Sequence, residues 1–437
     1  MTMSKADDND KPKISLFKQV YSRHKRKGKD PNRIDDLLED GSDVIDVYRI
    51  ILQNQNGSVF GNDLVVALES LLQLPGLDSS TRKCLCFGFR EFPGAYLYPR
   101  ALNKDLQLEL VHQAVTTYCE LGPTEAAAEM EDNSNGEEEP AVSSSHRTNI
   151  DLLPPKPHER VNKPGNETET MWNLWKQEQT PISDRPPPGK KIKHNQNQHN
   201  PNNGNNYYRR FSKLSWATMG YHYDWTERSY HPQKKSSMPD LVARLSILFA
   251  TSQPSRETEQ NGTVSPSTLK FTPSASIVNY YTTKSTMGGH RDDLEDPDAM
   301  DKPIVSMSLG LPGIFVLGGP TKDEESCNER NSVTPHPVRA IVLRPGDVLI
   351  MGGDSRLNYH AMSRVLPYEA ALEYEKRTGC RDSCMDDALP SFANLSPKDL
   401  SLERHDNTAE NDDFAYLTEY LRHHRVNINV RQVYPDK

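Results

Sequence analysis

The spacing of apolar positions changes along the chain. Between residues 41 and 121 they recur at helical intervals in residues 64–74 and 106–118, on either side of an apolar, turn-rich stretch at 86–98. That pattern predicts a helical N-terminal extension. Further along, short runs rich in Val, Ile, Tyr and Phe and bounded by Gly, Pro or Asp occur at 276–281, 304–309, 314–317, 338–343, 347–351 and 426–433. These predict the strands of an all-β barrel or jelly roll, so a helical half precedes a β half. Arg344-Pro345-Gly346-Asp347 has the residues of a hairpin turn, with Pro at its second position and Gly able to take a positive φ.

Between these segments the periodicity is lost. Residues 122–206 turn acidic, then Pro-rich, then Asn/Gln/His-rich, and smaller stretches of the same character occur at 253–267, 322–337 and 378–412. Such composition buries too little apolar surface to offset chain entropy and is expected to be disordered. Thirty-two prolines, 35% hydrophobic residues and a mean hydropathy of −0.77 agree with one core carrying long inserts. The expected organisation is a basic N-terminal segment (1–40), the helical extension (41–121), a disordered insert (122–206) and one β-rich domain (207–437).

A net charge of −9 argues against a surface that coats nucleic acid along its whole extent. Residues 13–33 carry eight Lys/Arg against one Asp, which reads first as a solvated helix face and second as a nuclear or nucleic-acid signal. No apolar run is long enough to span a membrane and the start is acidic and polar, so a soluble, intracellular protein is expected. Six cysteines are too sparse for a disulfide framework and are expected as reduced thiols.

The chemistry concentrates in two places. In His290-Arg291-Asp292, a strand's period of two would point the imidazole and the carboxylate to one side, where both could reach one metal ion. His360, at the end of residues 352–360, would complete a two-His, one-carboxylate face that leaves the remaining positions of a six-coordinate iron open. Among fourteen histidines a His-x-Asp alone says little. A second constellation changes its weight: in residues 425–431, Arg425, Asn427, Asn429 and Arg431 project one way along a strand while Val426, Ile428 and Val430 require burial on the other. Two guanidiniums on a half-buried face suit a dicarboxylate.

Taken in order, these segments resemble the AlkB dioxygenases, most nearly their eukaryotic AlkB homolog 1 branch. The likeness runs over residues 214–433. It comprises Trp216 with residues 220–225, then 277–281, His290 with Asp292, 303–310, 314–319, 346–360 and the Arg-x-Asn-x-x-x-Arg strand, with a fainter echo in 87–94. The resemblance implies an α+β protein whose double-stranded β-helix (jelly-roll) core binds Fe(II) through His290, Asp292 and His360. It also implies 2-oxoglutarate as cosubstrate, held by Arg425 with Asn279, Tyr280 and Tyr281, met at its other end by Arg431, along a strand that includes Asn427 and Asn429. Trp216, Tyr221, His222 and Tyr223 would border a base pocket.

Two positions depart from the pattern: Asn429 stands where Thr is usual, and Leu294 where the bacterial prototype has an acidic residue. The implied activity is oxidative demethylation of N-alkylated bases in DNA or RNA, methyl-adenine in tRNA or DNA foremost, by a monomer with no membrane partner. Hydroxylation of a protein such as a histone uses the same iron site, and a non-catalytic nucleic-acid-binding protein is a third reading. Nucleus and cytoplasm are the expected compartments, and the acidic start disfavours mitochondrial import without closing that route.

Overall fold

The structure is a computed structural model that describes residues 15–25, 32–39, 43–53, 63–74, 81–120, 214–224, 227–254, 269–321, 336–379, 395–400 and 410–436. The insert at 122–206 lies outside the described residues, as do most of the three smaller ones. Fourteen strands are described: β1 (Val44–Ile45), β2 (Val65–Gln73), β3 (Thr81–Phe89), β4 (Phe92–Tyr98), β5 (Trp216–Asp224), β6 (Ser229–Lys235), β7 (Ala275–Thr282), β8 (Met287–His290), β9 (Ile304–Gly310), β10 (Gly313–Leu317), β11 (Arg339–Leu343), β12 (Val348–Met351), β13 (His360–Val365) and β14 (His424–Arg431). The α-helices are α1 (Leu16–His24), α2 (Asp35–Leu38), α3 (Val47–Gln53), α4 (Lys104–Thr116), α5 (Asp240–Thr251), α6 (Tyr368–Thr378) and α7 (Glu410–His423).

The strands form two sheets. The larger runs β2-β3-β4-β12-β9-β14-β7-β5-β6 and the smaller β1-β11-β10-β13-β8. Every pairing except β1 with β11 is antiparallel. Strand alternation sorts the side chains into three buried layers. Phe87, Leu97, Phe315, Ile341, Leu349 and Met351 meet between the sheets. On the outer face of the larger sheet, Val278, Tyr280, Val426, Ile428 and Val430 pack with Leu110 and Val111 of α4, Leu245 and Phe249 of α5 and Tyr420 of α7. On the outer face of the smaller sheet, Ile314, Val316 and Ala361 pack with Phe17 and Val20 of α1 and Tyr374 of α6.

The N-terminal portion differs from the helical extension expected of it. Residues 65–73 are a strand, paired without interruption to β3 from Val65↔Phe89 to Gln73↔Thr81. A short apolar run satisfies helical and strand spacing equally, and an antiparallel partner decides between them. β4 then joins β12, so β2, β3 and β4 complete one edge of the larger sheet. The helix expected at 106–118 is present as α4, capped by Asn103, whose side chain accepts from the Leu106 N–H at 2.9 Å.

Arg344-Pro345-Gly346-Asp347 does turn the chain, with Gly346 at φ 84° and the Asp347 N–H on the Arg344 carbonyl at 3.2 Å. It is not a hairpin, because β11 and β12 belong to different sheets. The turn carries the chain across the core and is locked there. Arg344 is 1% exposed and donates to both carboxylate oxygens of Asp46 at 2.8 and 2.9 Å, Tyr374 donates to Asp46 at 2.8 Å, and Tyr48 donates to Asp347 at 2.7 Å. The N-terminal portion is thereby tied to the turn by buried charge. Cys84, Cys86 and Cys119 are buried outside any disulfide, and no described helix is long and apolar enough to cross a membrane.

Candidate active site

The two sheets enclose a cavity of about 480 Å³. The smaller sheet brings two imidazoles to it. His290 ends β8 and His360 begins β13, and the two are direct cross-strand partners, with ring centroids 4.4 Å apart. Asp292 lies two residues past the end of β8, in irregular chain rather than on the expected strand. Its carboxylate oxygens are each 3.9 Å from an imidazole Nε2, Oδ1 from His290 and Oδ2 from His360. One ligand atom from each of the three residues falls within 4.8 Å of the others.

Both imidazoles are oriented by the backbone: Nδ1 of His290 bonds the Gly288 carbonyl at 2.9 Å and Nδ1 of His360 bonds that of Asn358 at 3.1 Å. A carbonyl can only accept, so Nδ1 donates and Nε2 is the nitrogen turned to the carboxylate. Burial, reinforced by the neighbouring His290, pushes His360 down to about 4, which keeps it neutral near pH 7. Burial alone would raise Asp292, but Arg431, the two histidines and Arg356 outweigh it and hold the carboxyl far below its ordinary range. Two imidazoles and an ionised carboxylate on one face suit a ferrous ion.

The larger sheet supplies the cations. Arg425, Asn427, Asn429 and Arg431 of β14 all line the cavity, together with Asn279 and Tyr281 of β7. Register explains the grouping, since Arg425 pairs with Tyr281 and Asn427 with Asn279. Arg425 is fully buried, fixed by Nη2 on Ser308 Oγ at 2.7 Å and Nη1 on the Leu311 carbonyl at 3.1 Å. Its buried Nε has no hydrogen-bond partner among the described residues, although burial lowers the group only to about 10 and it remains cationic. Among the described residues the Tyr281 hydroxyl bonds the Met287 thioether alone, at 3.7 Å, and a thioether is a weak acceptor. A cation with a spare donor beside a loosely engaged hydroxyl fits one carboxylate of a small dicarboxylate.

Arg431 lines the same cavity and also meets two carboxylates. Its Nη2 lies 3.0 Å from Asp292 Oδ2 and its Nη1 3.2 Å from Glu295 Oε1. Glu295 also faces Arg356 Nη2 at 3.3 Å, and Arg356 Nη1 donates to the Asp292 carbonyl at 2.6 Å. These groups close a ring of alternating charge around Asp292 and join the arginine strand to the metal-ligand loop. Glu295 and Arg356 were missed in the sequence because both lie in irregular chain, where no periodicity marks a buried charge.

Tyr280 does not line the cavity. Alternation along β7 turns it to the helix side, where its hydroxyl donates to the Ala114 carbonyl at 2.6 Å. Of the four residues expected at a base pocket, only Tyr223 lines the cavity. A register shift in the β5/β6 pairing between Tyr221 and Tyr223 breaks the period of two that would have set them on one face. Tyr221 instead packs edge-on to Tyr434 with Lys235 over its ring, and His222 is half-buried with a ring nitrogen on the Thr218 hydroxyl. Trp216 is half-buried opposite Asn279 of β7 and does not itself line the cavity. Arg228 and Tyr230 take the places beside Tyr223. Phe315 stacks on His360 with centroids 5.7 Å apart, and Leu294 lines the cavity while 37% exposed.

Asp224, Glu227 and His231 form a second close group, but their charges are already engaged. His231 lies 2.7 Å from Glu227 and Lys234 lies 3.3 Å from Asp224.

Several known proteins are similar in sequence to this chain. The chain is 32% identical over 223 residues to the DNA N(6)-methyladenine demethylase ALKBH1A of Arabidopsis thaliana, a match covering 51% of this chain and 49% of that protein. It is 31% identical over 221 residues to the human nucleic acid dioxygenase ALKBH1, covering 51% and 46%. It is 37% identical over 92 residues to the alpha-ketoglutarate-dependent dioxygenase AlkB of Escherichia coli, covering 21% and 36%. The first two matches thus span about half the length of those relatives. The family description of the 2OG-Fe(II) oxygenase superfamily matches residues 173–431, a stretch that includes His290, Asp292, His360 and the arginine strand, and this chain belongs to that superfamily.

Proposed function

We propose that this protein is an Fe(II)- and 2-oxoglutarate-dependent oxidative demethylase of N-alkylated bases in DNA or RNA, with its two sheets forming a double-stranded β-helix. One observation carries the reading: a two-His, one-carboxylate face and a buried, partly unpaired arginine open into the same cavity. His290, Asp292 and His360 would hold the iron. Bound iron, with 2-oxoglutarate and oxygen, supplies the oxidising power to hydroxylate a C–H bond.

This chain's own groups position and shield. Arg425 and Tyr281 anchor the distal carboxylate of 2-oxoglutarate. Arg431 fixes the Asp292 carboxylate and, by its charge, favours an anionic cosubstrate beside it. Phe315 and the apolar residues between the sheets exclude water from the reacting face. At the cavity's other side, Tyr223 and Tyr230 offer rings on which an extruded base can stack, with Arg228 beside them. An N-methyl group hydroxylated there becomes a hemiaminal, which collapses to formaldehyde and the unmodified base. The relatives are named for DNA N(6)-methyladenine and for nucleic acid more broadly, which makes methylated adenine the first substrate to try.

The test is a panel of oligonucleotides, tRNA and histone peptides carrying defined methyl groups, scored for formaldehyde and succinate. Methyl-adenine in nucleic acid should be turned over, and His290→Ala and Asp292→Ala should abolish turnover. Formaldehyde release that survives both substitutions, or that comes from peptides alone, would overturn the proposal.

A further inference from the structure

The metal-ligand strands rest on a side chain from the far N-terminus. Phe17 of α1 is 5% exposed and lies against two glycines. A Cβ added to Gly289 would stand 2.5 Å from Phe17 Cε1, and one added to Gly318 would stand 2.7 Å from Phe17 Cδ2. Both distances are shorter than packed carbons adopt, so the two glycines form a notch that the ring fills. The third wall is Tyr359, edge-on to Phe17 with centroids 6.2 Å apart.

Each wall adjoins a ligand. Gly289 immediately precedes His290, and Tyr359 immediately precedes His360. Gly318 follows Leu317, the cross-strand partner of His360, and its N–H donates to the Tyr359 carbonyl at 2.9 Å. The Gly288 carbonyl that orients His290 sits one residue further back. The helix itself is clamped at its other end. Buried His24 bridges Asp36 at 3.2 Å and Asp43 at 2.8 Å, and Asp36 in turn pairs with Arg364 of β13 at 3.1 Å. The segment that reads in sequence as a solvated basic run therefore presents an apolar stripe to the back of the site.

We propose that Phe17 is a positioning residue for the metal centre, wedged behind β8 and β13 so that His290 and His360 are held at the spacing one ion requires. The inference rests on the dioxygenase reading, since it concerns the same ligands. Groups that orient metal ligands without touching the metal typically govern affinity by 10- to 100-fold.

The test is titration of the full chain with Co(II), read by calorimetry and by the visible spectrum of the bound ion, with no turnover required. Phe17→Ala should weaken Co(II) binding by about 10- to 100-fold and alter the spectrum, with far-UV circular dichroism unchanged. Gly318→Ala keeps the ring but displaces it, and should do the same. It decides the matter if Phe17→Ala does not fold. Phe17→Leu combined with Gly318→Ala restores space in the notch and should recover most of the affinity. Wild-type Co(II) affinity in folded Phe17→Ala or in Gly318→Ala would overturn the proposal while leaving the dioxygenase reading intact. Failure of the wild-type chain to bind Co(II) would overturn both.

Discussion

Under the proposed function, replacing Arg425 by alanine removes the cation assigned to the distal carboxylate of 2-oxoglutarate, and the expected effect follows from burial. The side chain is fully buried, its guanidinium held by Ser308 and Leu311 with Nε left over. Without it a carboxylate would enter a water-poor slot unpaired, and an uncompensated buried charge costs about 3–5 kcal/mol. At 1.4 kcal/mol per decade this is a loss of roughly 100- to 4,000-fold in affinity for 2-oxoglutarate. Arg425→Lys keeps the charge but not the planar fork and should fall between alanine and wild type. Calorimetry of 2-oxoglutarate binding with Mn(II) in place of iron gives the affinity directly, and succinate formation against 2-oxoglutarate concentration gives KM. A shift under about tenfold in folded Arg425→Ala would refute the assignment of this group to the cosubstrate.

The two buried charge networks that fasten the N-terminal portion make separate predictions. Asp46→Asn leaves Arg344 buried without its counter-ion and should destabilise the fold by about 3–5 kcal/mol, read from the urea midpoint; an unchanged midpoint would contradict the pairing. Burial opposes charging of His24, but its bonds to Asp36 and Asp43 win and raise it above its ordinary 6.5, while both aspartates, opposed by burial too, are lowered from 3.8 by His24 and their arginines. A raised histidine stabilises fully below about 6.5 and loses its contribution as pH rises through the folded value, whereas the lowered aspartates lose theirs as pH falls below about 4. Thermal unfolding should therefore show a stability loss between neutral and alkaline pH that His24→Gln flattens, and equal slopes in the two proteins would contradict the network.

The metal face and the arginine strand were legible in the sequence because each is a local pattern whose meaning survives folding. Val426, Ile428 and Val430 demand burial on one side, which leaves Arg425, Asn427, Asn429 and Arg431 together on the other whatever the topology. Where the outcome depended on a partner strand, the pattern did not suffice. Residues 65–73 satisfy helix and strand alike until β3 is placed beside them, and the turn at 344–347 looks the same whether it joins neighbours or crosses between sheets. Tyr280 and Tyr281 are adjacent in a motif yet face opposite layers, and the irregular pairing after Tyr221 separates two aromatics that simple alternation would unite. The charge ring of Glu295, Arg356 and Arg431 exists only once irregular chain is folded over Asp292.

The measurement that bears most directly on the account is an anaerobic Fe(II) titration of the wild-type chain and of His290→Ala, Asp292→Ala and His360→Ala. Three side chains converging on one ion predict a single site per chain, lost in each of the three variants while each stays folded by circular dichroism. Iron bound with undiminished affinity after any one of these substitutions would show that the residue is not a ligand and would contradict the shared centre.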